Sequence, residues 1–328
     1  MRKQMLIVAG IMLGIAHHGS SQQATAGGGR GHSNAGDTWD RVADMPTARL
    51  GLATCVVDGR IHAIGGYESA GAGGLHTLEV YDPVTDAWET KANMPTGRYW
   101  LTAGVVQEVI YVLGGDVTAG FGGSATGTVE AYDPVADSWS TRSPMPTPRK
   151  GCAAGVVDHT IYVIGGSSDS RAFVATVEAY DPDADRWTRK ADMPTPRGLL
   201  AACVLDGKIY AIGGLAEGNA FVKTVEVYDP AADVWSAAAG MSVARAALAA
   251  CSLDGKIYAI AGRSGAETLS TVEEYDPATD TWTQLPDSRQ CLFGASSDAV
   301  AGKIYTIGGS MIARPPHPAV ATVESYSP

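Results

Sequence analysis

The feature that most constrains this chain is a sequence unit that recurs six times. Aligned on glycine pairs, successive copies start 47 to 51 residues apart. Each pair follows a β-forming run such as Lys-Ile-Tyr-Ala-Ile, and each pair is followed by Val-Glu-x-Tyr-Asp-Pro or a close variant and, in all copies but the last, by Trp. Self-similarity at a fixed period is the signature of a repeat architecture, in which each copy is one supersecondary unit. The pairs begin at Gly65, Gly114, Gly165, Gly213, Ala261 and Gly308.

Each unit contains four β-forming runs. The first is rich in small residues, the second ends at the glycine pair, the third ends at Tyr-Asp-Pro and the fourth carries the Trp. Asp58-Gly59 and its equivalents are tight-hairpin signals between the first two runs, and the Asp-Pro pairs mark a turn between the last two. Four strands per repeat at this period predict a propeller blade. The predicted fold is therefore all-β, a six-bladed β-propeller of four-stranded blades.

The two ends of the chain complement each other. The sixth copy stops at Tyr326-Ser327-Pro328 without a Trp run, whereas Gly36 to Pro46, "GDTWDRVADMP", is a Trp run with no copy before it. Trp39 lies 49 residues before Trp88, which is one period. An open ring would leave a long unpaired strand edge, and pairing the two ends removes it. We predict a domain over residues 37–328 whose N-terminal strand closes the last blade.

These repeats resemble the kelch repeat family, over residues 37–328. The matching features are the double glycine after an Ile-Tyr-x-Ile run, the Tyr-Asp-Pro and the following Trp. The resemblance implies the propeller fold. For function it implies a non-catalytic interaction module in most cases and an enzyme in fewer, because one fold hosts many functions.

Residues 1–26 have the pattern of a signal peptide. Arg2 and Lys3 precede the apolar run from Met5 to Ala16, and Ala24-Thr25-Ala26 is a cleavage candidate. The apolar run is short for a transmembrane helix, although an uncleaved anchor is the alternative. We expect a cleaved, exported protein, periplasmic or extracellular, with a flexible linker over 27–36 and no membrane span after cleavage.

Charge excludes several classes of partner. The net charge is −11, and it becomes −13 once residues 1–26, with two cations and no acidic residue, are removed. An acidic exported chain is a poor binder of nucleic acid or of anionic membranes. Three of the five cysteines, Cys55, Cys203 and Cys251, share one repeat position, so they should lie too far apart for disulfides and read as small buried residues.

No familiar catalytic or cofactor motif is present. The chain has no HExxH, CxxC, G-x-S-x-G or phosphate-binding loop, and its histidines fall in unrelated registers. Copper propellers related to the kelch family use a Tyr and His set with a Tyr–Cys crosslink, and no matching constellation is found. We expect no cofactor, no metal site and no catalytic residue.

An arginine heads the first run of each unit, and a glutamate stands two residues before each Tyr. Because blades are packed on both faces, these charges must be paired or solvated. Repetition in every blade favours mutual pairing, whereas the functional alternative is an arginine ring at the channel mouth that binds an anion. In kelch domains that bind acidic peptides, arginines at this position line the binding mouth, so the resemblance supports the alternative. The arginines are Arg49, Arg98, Arg149, Arg197, Arg245 and Arg289; the glutamates are Glu79, Glu130, Glu178, Glu226, Glu273 and Glu324.

Departures from the repeat are the other candidates for ligand contact. The loops after the glycine pairs vary in sequence and lie at one end of the ring, and loops on a rigid scaffold commonly carry recognition. Tyr67, Tyr99, Trp100 and Arg263 are the candidates chosen, because aromatic and arginine side chains anchor binding surfaces. Phe173 and Phe221 share a register and are expected to pack their own loops. Phe121, Arg171, Met311, Arg314 and His317 complete the variable set.

The leading hypothesis is a monomeric, non-catalytic module that binds a protein, peptide or glycan through one propeller face and the channel mouth, with an anionic ligand as one option. The first alternative is an enzyme similar to exported kelch propellers that mutarotate sialic acid, since an arginine-rich mouth suits a sugar carboxylate. The second is an oxidase of the galactose-oxidase type. Neither alternative has an identifiable acid–base pair in the sequence.

Overall fold

The computed structural model describes residues 38–69, 73–118, 123–169, 172–312 and 317–328. The predicted signal peptide and linker, and the loop residues Phe121, Arg171 and Arg314, lie outside the described residues. Within them, the chain from Thr38 onward forms six four-stranded antiparallel sheets, one per repeat. The prediction of a six-bladed all-β propeller is confirmed.

Each of the first five blades runs from an inner to an outer strand in chain order. Blade one contains β2 (Ala53–Val57), β3 (Arg60–Ile64), β4 (Leu78–Asp82) and β5 (Ala87–Thr90). Blade two contains β6 (Thr102–Val106), β7 (Val109–Leu113), β8 (Val129–Asp133) and β9 (Ser138–Arg142). Blade three contains β10 (Ala153–Val157), β11 (Thr160–Ile164), β12 (Val177–Asp181) and β13 (Arg186–Lys190).

Blades four and five also carry a small hairpin after the glycine pair. Blade four contains β14 (Ala201–Leu205), β15 (Lys208–Ile212), β18 (Val225–Asp229) and β19 (Val234–Ala238), with the hairpin β16 (Leu215–Ala216) and β17 (Ala220–Phe221) around a 3-10 turn, Glu217–Asn219. Blade five contains β20 (Ala249–Leu253), β21 (Lys256–Ile260), β24 (Val272–Asp276) and β25 (Thr281–Leu285), with the hairpin β22 (Arg263–Ser264) and β23 (Glu267–Thr268).

The sixth blade is assembled from both ends of the chain. Its strands are β26 (Ser296–Val300), β27 (Lys303–Ile307), β28 (Val323–Ser327) and, outermost, β1 (Thr38–Arg41). Trp39 lies opposite Tyr326 in the register, and their rings stack with centroids 5.0 Å apart. The N-terminal Trp run therefore closes the last blade, as the sequence predicts.

Local chemistry explains the repeated residues. Asp58 and Gly59 both have positive φ (51° and 67°), which the tight turn between β2 and β3 requires. Beyond β4, the Tyr81 hydroxyl donates to Asp86 (2.8 Å), and the same carboxylate accepts the Ala43 N–H (2.8 Å) from the neighbouring blade. The Trp88 indole N–H donates to the Ala43 carbonyl (2.9 Å). Among the described residues, the Asp of five units and the Trp of all six thus link one blade to the next.

The core lies between adjacent blades. Ala53 and Cys55 on β2 pack against Leu101 and Ile110 of blade two, and equivalent clusters follow round the ring. The small residues of the inner strands allow six strands to converge on one axis. All five cysteines are free thiols, and Cys55, Cys203 and Cys251 are buried in matching positions.

Candidate functional site

The first five arginines of the column are buried and paired. Arg49, Arg98, Arg149, Arg197 and Arg245 have no exposed surface. Each forms an ion pair with the glutamate of its own blade; Arg149, for example, lies 2.9 Å from Glu178. Burial lowers the pKa of each arginine, and the facing glutamate opposes this shift. In this conformation a ligand cannot reach these five side chains, which favours the pairing interpretation.

Arg289 is not the sixth member of the column, and its alignment with the other five is wrong. In five blades the carbonyl of the column residue accepts an N–H from the second glycine of the preceding blade, as between Gly66 and Arg98 (2.8 Å). At the junction with blade six, the N–H of Gly262 from blade five donates to the carbonyl of Leu292 (2.7 Å), so Leu292 occupies the column position of blade six. Arg289 is exposed, and its Nη1 donates to the Trp39 carbonyl (3.2 Å). Its backbone N–H donates to the buried Glu324 (3.2 Å), whose pKa is raised by burial.

Two residues after each column position, a ring of backbone hydrogen bonds joins all six blades. The N–H of one residue per blade donates to the carbonyl of its counterpart in the preceding blade, and the bond from Gly51 to Gly294 closes the circle, at N···O distances of 2.7 to 2.8 Å. Each residue has a positive φ between 50° and 66°. The members are Gly51, Trp100, Gly151, Leu199, Ala247 and Gly294. We call the propeller face that carries this ring and the loops after the glycine pairs the ring face.

Three of the candidates chosen from the sequence meet on the ring face. Tyr67 and Tyr99 are buried with centroids 4.7 Å apart, and Trp100 packs edge-on against Tyr67 with centroids 6.4 Å apart. The indole also lies across the ring: a Cβ built on Gly294 would be 2.9 Å from its Cη2. Burial raises the pKa of Tyr67 to about 12, and the nearby Arg263 opposes that rise. Tyr67 and Tyr99 therefore support the surface, and Trp100 remains partly exposed on it.

Arg263 completes the same surface. Its guanidinium lies over the rings of Phe221 and Phe293, 5.6 and 5.8 Å from their centroids. Nη2 donates to the Gly265 carbonyl (3.2 Å), while Nε has no partner in the described part of the chain. Within the same part, no carboxylate pairs with Arg263, in contrast to the column arginines. A half-buried cation that rests on two aromatic faces is available to an anionic group.

Sequence reasoning missed Phe293, Asp116 and Lys150 on this face. The buried Asp116 pairs with Lys150, and Phe293 packs against His317 with centroids 5.4 Å apart. Phe293 and Lys150 occupy the same repeat position as Tyr99, directly after the column residue, and that position pairs with the loop after the glycine pair. Their position in the repeat was therefore the signal that could have identified these residues. In blade six the alignment of Arg289 with the arginine column shifted that position and obscured Phe293.

Below the ring, the six inner strands enclose a central cavity of about 490 Å³. Its wall is mostly Ala, Val, Cys and Gly, together with a polar patch where blades six and one meet. In that patch the hydroxyls of Thr54 and Ser296 are 2.7 Å apart, beside Asp298. The Asp298 Oδ2 is buried and has no hydrogen-bond partner in the described residues. Among the residues that the structure describes, Asp298 is the one acidic residue that lines the cavity.

Replacing Asp298 by Asn is expected to raise the free energy of unfolding more at pH 7 than at pH 4. Burial raises the pKa of this carboxyl to about 6, a hydrogen bond from Thr54 opposes the rise, and the neighbouring titratable groups are Cys55 and Cys251. In the unfolded chain the pKa of an aspartate is about 3.9, so Asp298 keeps its proton to a higher pH in the folded protein than in the unfolded one. The free energy of unfolding therefore decreases as the pH rises from about 4 to about 6.

The difference between those pKa values corresponds to at most about 3 kcal/mol at pH 7. Urea unfolding of the wild type and the Asp298→Asn variant at both pH values measures this effect. If the free energies of unfolding of the two proteins differed by the same amount at pH 4 and at pH 7, this prediction would be wrong.

Among the described residues, no three His, Cys, Asp or Glu side chains are grouped so that they could hold a metal ion. No helix in those residues is long and apolar enough to cross a membrane.

Comparison with known proteins gives consistent matches. The family model for the KLHDC2/KLHL20/DRC7 Kelch-repeats domain matches residues 102–309, and the Kelch motif model matches residues 48–95. Kelch-like protein 35 of Mus musculus is 31% identical over 130 residues, 40% of this chain and 22% of that protein. Kelch-like ECH-associated protein 1B of Danio rerio is 42% identical over 48 residues, 14% of this chain and 8% of that protein.

The chain thus spans less than a quarter of the length of these curated relatives. Among solved structures, "Structure of YjhT" superposes with a TM-score of 0.74 at 17% identity, covering 86% of this chain and 95% of that one. A likeness at this identity concerns the fold alone.

Proposed function

This chain belongs to the kelch-repeat family, and on that premise we propose that its propeller is a non-catalytic binding module for a protein or peptide partner. The partner would carry an acidic group beside apolar residues and would dock on the ring face. The observation that carries the proposal is Arg263, a cation held on aromatic faces without a carboxylate partner in the described residues.

The surroundings of Arg263 support a macromolecular partner. Six large apolar side chains of the described residues are exposed, and three of them, Val117, Met311 and Ile312, belong to loops of the ring face. The Thr268 hydroxyl of the Arg263 hairpin donates to the Met311 carbonyl (3.0 Å), which places these features side by side. An arginine and aromatic anchor ringed by exposed apolar residues is typical of protein-binding surfaces.

The family context agrees with this reading, because the curated relatives are named as Kelch-like proteins, one of them as an ECH-associated protein. The sugar-acid isomerase alternative relies on accessible arginines at the channel mouth. Five arginines of the column are buried in ion pairs, so neither that alternative nor an acidic ligand gains support from them, and the proposal of an acidic partner rests on Arg263 instead.

A charge-swap experiment tests the proposal. We expect a Glu-rich peptide with one Leu–Phe pair to raise the melting temperature of the wild-type protein in a concentration-dependent way. Arg263→Gln should weaken binding of that peptide about tenfold or more, since a charge-assisted hydrogen bond contributes about 1.5–3 kcal/mol. The matched control is Arg60→Gln, which removes an exposed arginine at the opposite end of the blade.

The probe set distinguishes classes of ligand. A Lys-rich peptide of the same pattern should not bind, and N-acetylneuraminate and glucuronate should bind more weakly than the acidic peptide. Binding of the sugar acids alone would favour the carbohydrate alternative. No binding by any probe, or equal losses in the Arg263→Gln and Arg60→Gln variants, would refute the proposal.

A further inference from the structure

Two of the six ring residues carry a bulky side chain that closure of the ring does not require. The hydrogen-bonded position is glycine in three blades and alanine in one, whereas Trp100 and Leu199 occupy the other two. Trp100 has a φ of 50° and Leu199 a φ of 51°, in the left-handed region, where glycine is the residue without a steric penalty. Backbone strain that the fold does not need is a pointer to function.

The indole of Trp100 is held against the ring. A Cβ built on Gly51 would lie 3.2 Å from the Cδ2 atom of the indole, with Cε3 and Cε2 next at 3.3 and 3.4 Å. Cδ2 joins the two rings of the indole, so Gly51 lies against a face of the indole and not against its edge. Tyr67 fixes the side chain further through its edge-on contact. The indole is therefore placed before a partner arrives, which lowers the entropy that binding costs.

Trp100 belongs to an apolar cluster at the centre of the ring face. The partly exposed members of this cluster are Trp100, Leu199 and Ala319, and its buried members include Phe293. Phe293 also lies under the Arg263 guanidinium, 5.8 Å from its centroid. An exposed part of the indole and a cation without a carboxylate partner in the described residues therefore belong to one continuous surface.

We propose that Trp100 selects the apolar anchor of the acidic partner: an aromatic side chain of the partner stacks on the indole while the neighbouring acidic group contacts Arg263. This inference rests on the proposed function. Aromatic pairs attract each other beyond the area that they bury. A Lys or Arg of the partner is disfavoured on the indole, because it would lie beside the Arg263 cation. The acidic and the aromatic residue should therefore be close together in the partner.

A double-mutant cycle separates this role from a structural one. The probes are two Glu-rich peptides of equal length, one with a single Phe and the other with Ala in its place. We expect the Phe peptide to bind the wild type at least about fivefold more tightly, which corresponds to about 1 kcal/mol. In Trp100→Gly that preference should disappear. The NMR signal of the Trp100 indole N–H, identified by its absence from the variant, should shift when the wild type binds the Phe peptide.

The variants use residues that the ring already contains, so that folding is preserved. Trp100→Gly copies three blades, and Trp100→Ala copies blade five, where Ala247 has the same φ of 50°. Both variants should lose the preference for the Phe peptide. The matched control is Ala247→Gly, which makes the same kind of backbone change without removing an exposed side chain, and it should keep the preference.

The outcomes distinguish the role of Trp100 from the proposed function. Peptide binding that depends on Arg263 but is equal for the two peptides would overturn the role of Trp100 and leave the proposed function standing. A preference for Phe that survives in Trp100→Gly or Trp100→Ala would have the same meaning. No binding of either peptide up to about 1 mM, a binding free energy of about −4 kcal/mol, would overturn both.

Discussion

Deletion of residues 38–44 is expected to destabilise the protein so far that most of it is unfolded or aggregated at 37 °C. This segment contains β1, the outermost strand of the closing blade, which pairs with β28 from Thr38 to Arg41. Trp39 is buried against Tyr326, and its indole N–H donates to the Pro286 carbonyl (3.3 Å). Loss of one buried Trp costs about 3–5 kcal/mol, and the strand hydrogen bonds add to it, against a typical total stability of about 5–15 kcal/mol.

Thermal and urea unfolding measure the loss. Two further variants make the result specific to closure. Deleting seven residues from the predicted linker over 27–36 should leave the melting temperature unchanged. Moving residues 37–46 behind Pro328 through a short Gly-Ser linker should restore most of the stability, because the strand is then supplied from the other end of the chain. A deletion of 38–44 that melts like the wild type would show that the sixth blade does not depend on β1.

Replacing Arg149 by Leu is expected to lower the free energy of unfolding by about 3–5 kcal/mol, because it leaves a buried carboxylate without its cation. Glu178 would keep the hydroxyl of Thr147 (2.7 Å) as its hydrogen-bond donor. The guanidinium also donates to the carbonyls of Thr176 (2.6 Å) and Val163 (3.1 Å), and the variant would lose both hydrogen bonds, although the Thr176 carbonyl would keep the Gly165 N–H (3.0 Å). Urea unfolding of the variant measures the cost.

The matched control is Arg189→Leu. Arg189 pairs with Asp192 at 2.5 Å, but both side chains are about half exposed, and such pairs contribute about 0–1 kcal/mol. The double variant Arg149→Leu with Glu178→Leu should recover part of the lost free energy of unfolding, because removing both charges costs less than leaving one buried charge unpaired. If the two single arginine variants lost the same stability, the buried pair would have no special structural role.

The repeat predicted the blades well because its signals are local. Turn residues, alternating β-formers and a fixed period determine where each strand begins and ends, and the complementary chain ends predict the pairing of β1 with β28. Arg263 was also accessible to prediction, because it follows the one departure from Gly-Gly. The error at Arg289 has a local cause too: Ser288 replaces the usual methionine and Leu292 replaces the usual arginine, so the nearest arginine was aligned instead.

The remaining features depend on distances between residues far apart in sequence. Mutual pairing of the arginine and glutamate columns was one of two alternatives, and only burial distinguishes between them. The ring from Gly51 to Gly294 joins residues of four types that share a backbone conformation and no side-chain pattern. Asp298 could be read as another residue of a short strand until the structure placed its Oδ2 in the interior without a donor in the described residues.

The hydrogen-bonded ring also gives this repeat protein a property that linear arrays lack. In an open array a terminal repeat has one neighbour, so unfolding can start there by breaking a single interface. Here each ring residue is bonded to two others, and the Gly51 to Gly294 bond makes the junction of the chain ends equivalent to every other junction at the axis. No blade is terminal, and the first blade to detach must give up two interfaces at once. The ring therefore couples six modest sheets into one cooperative unit.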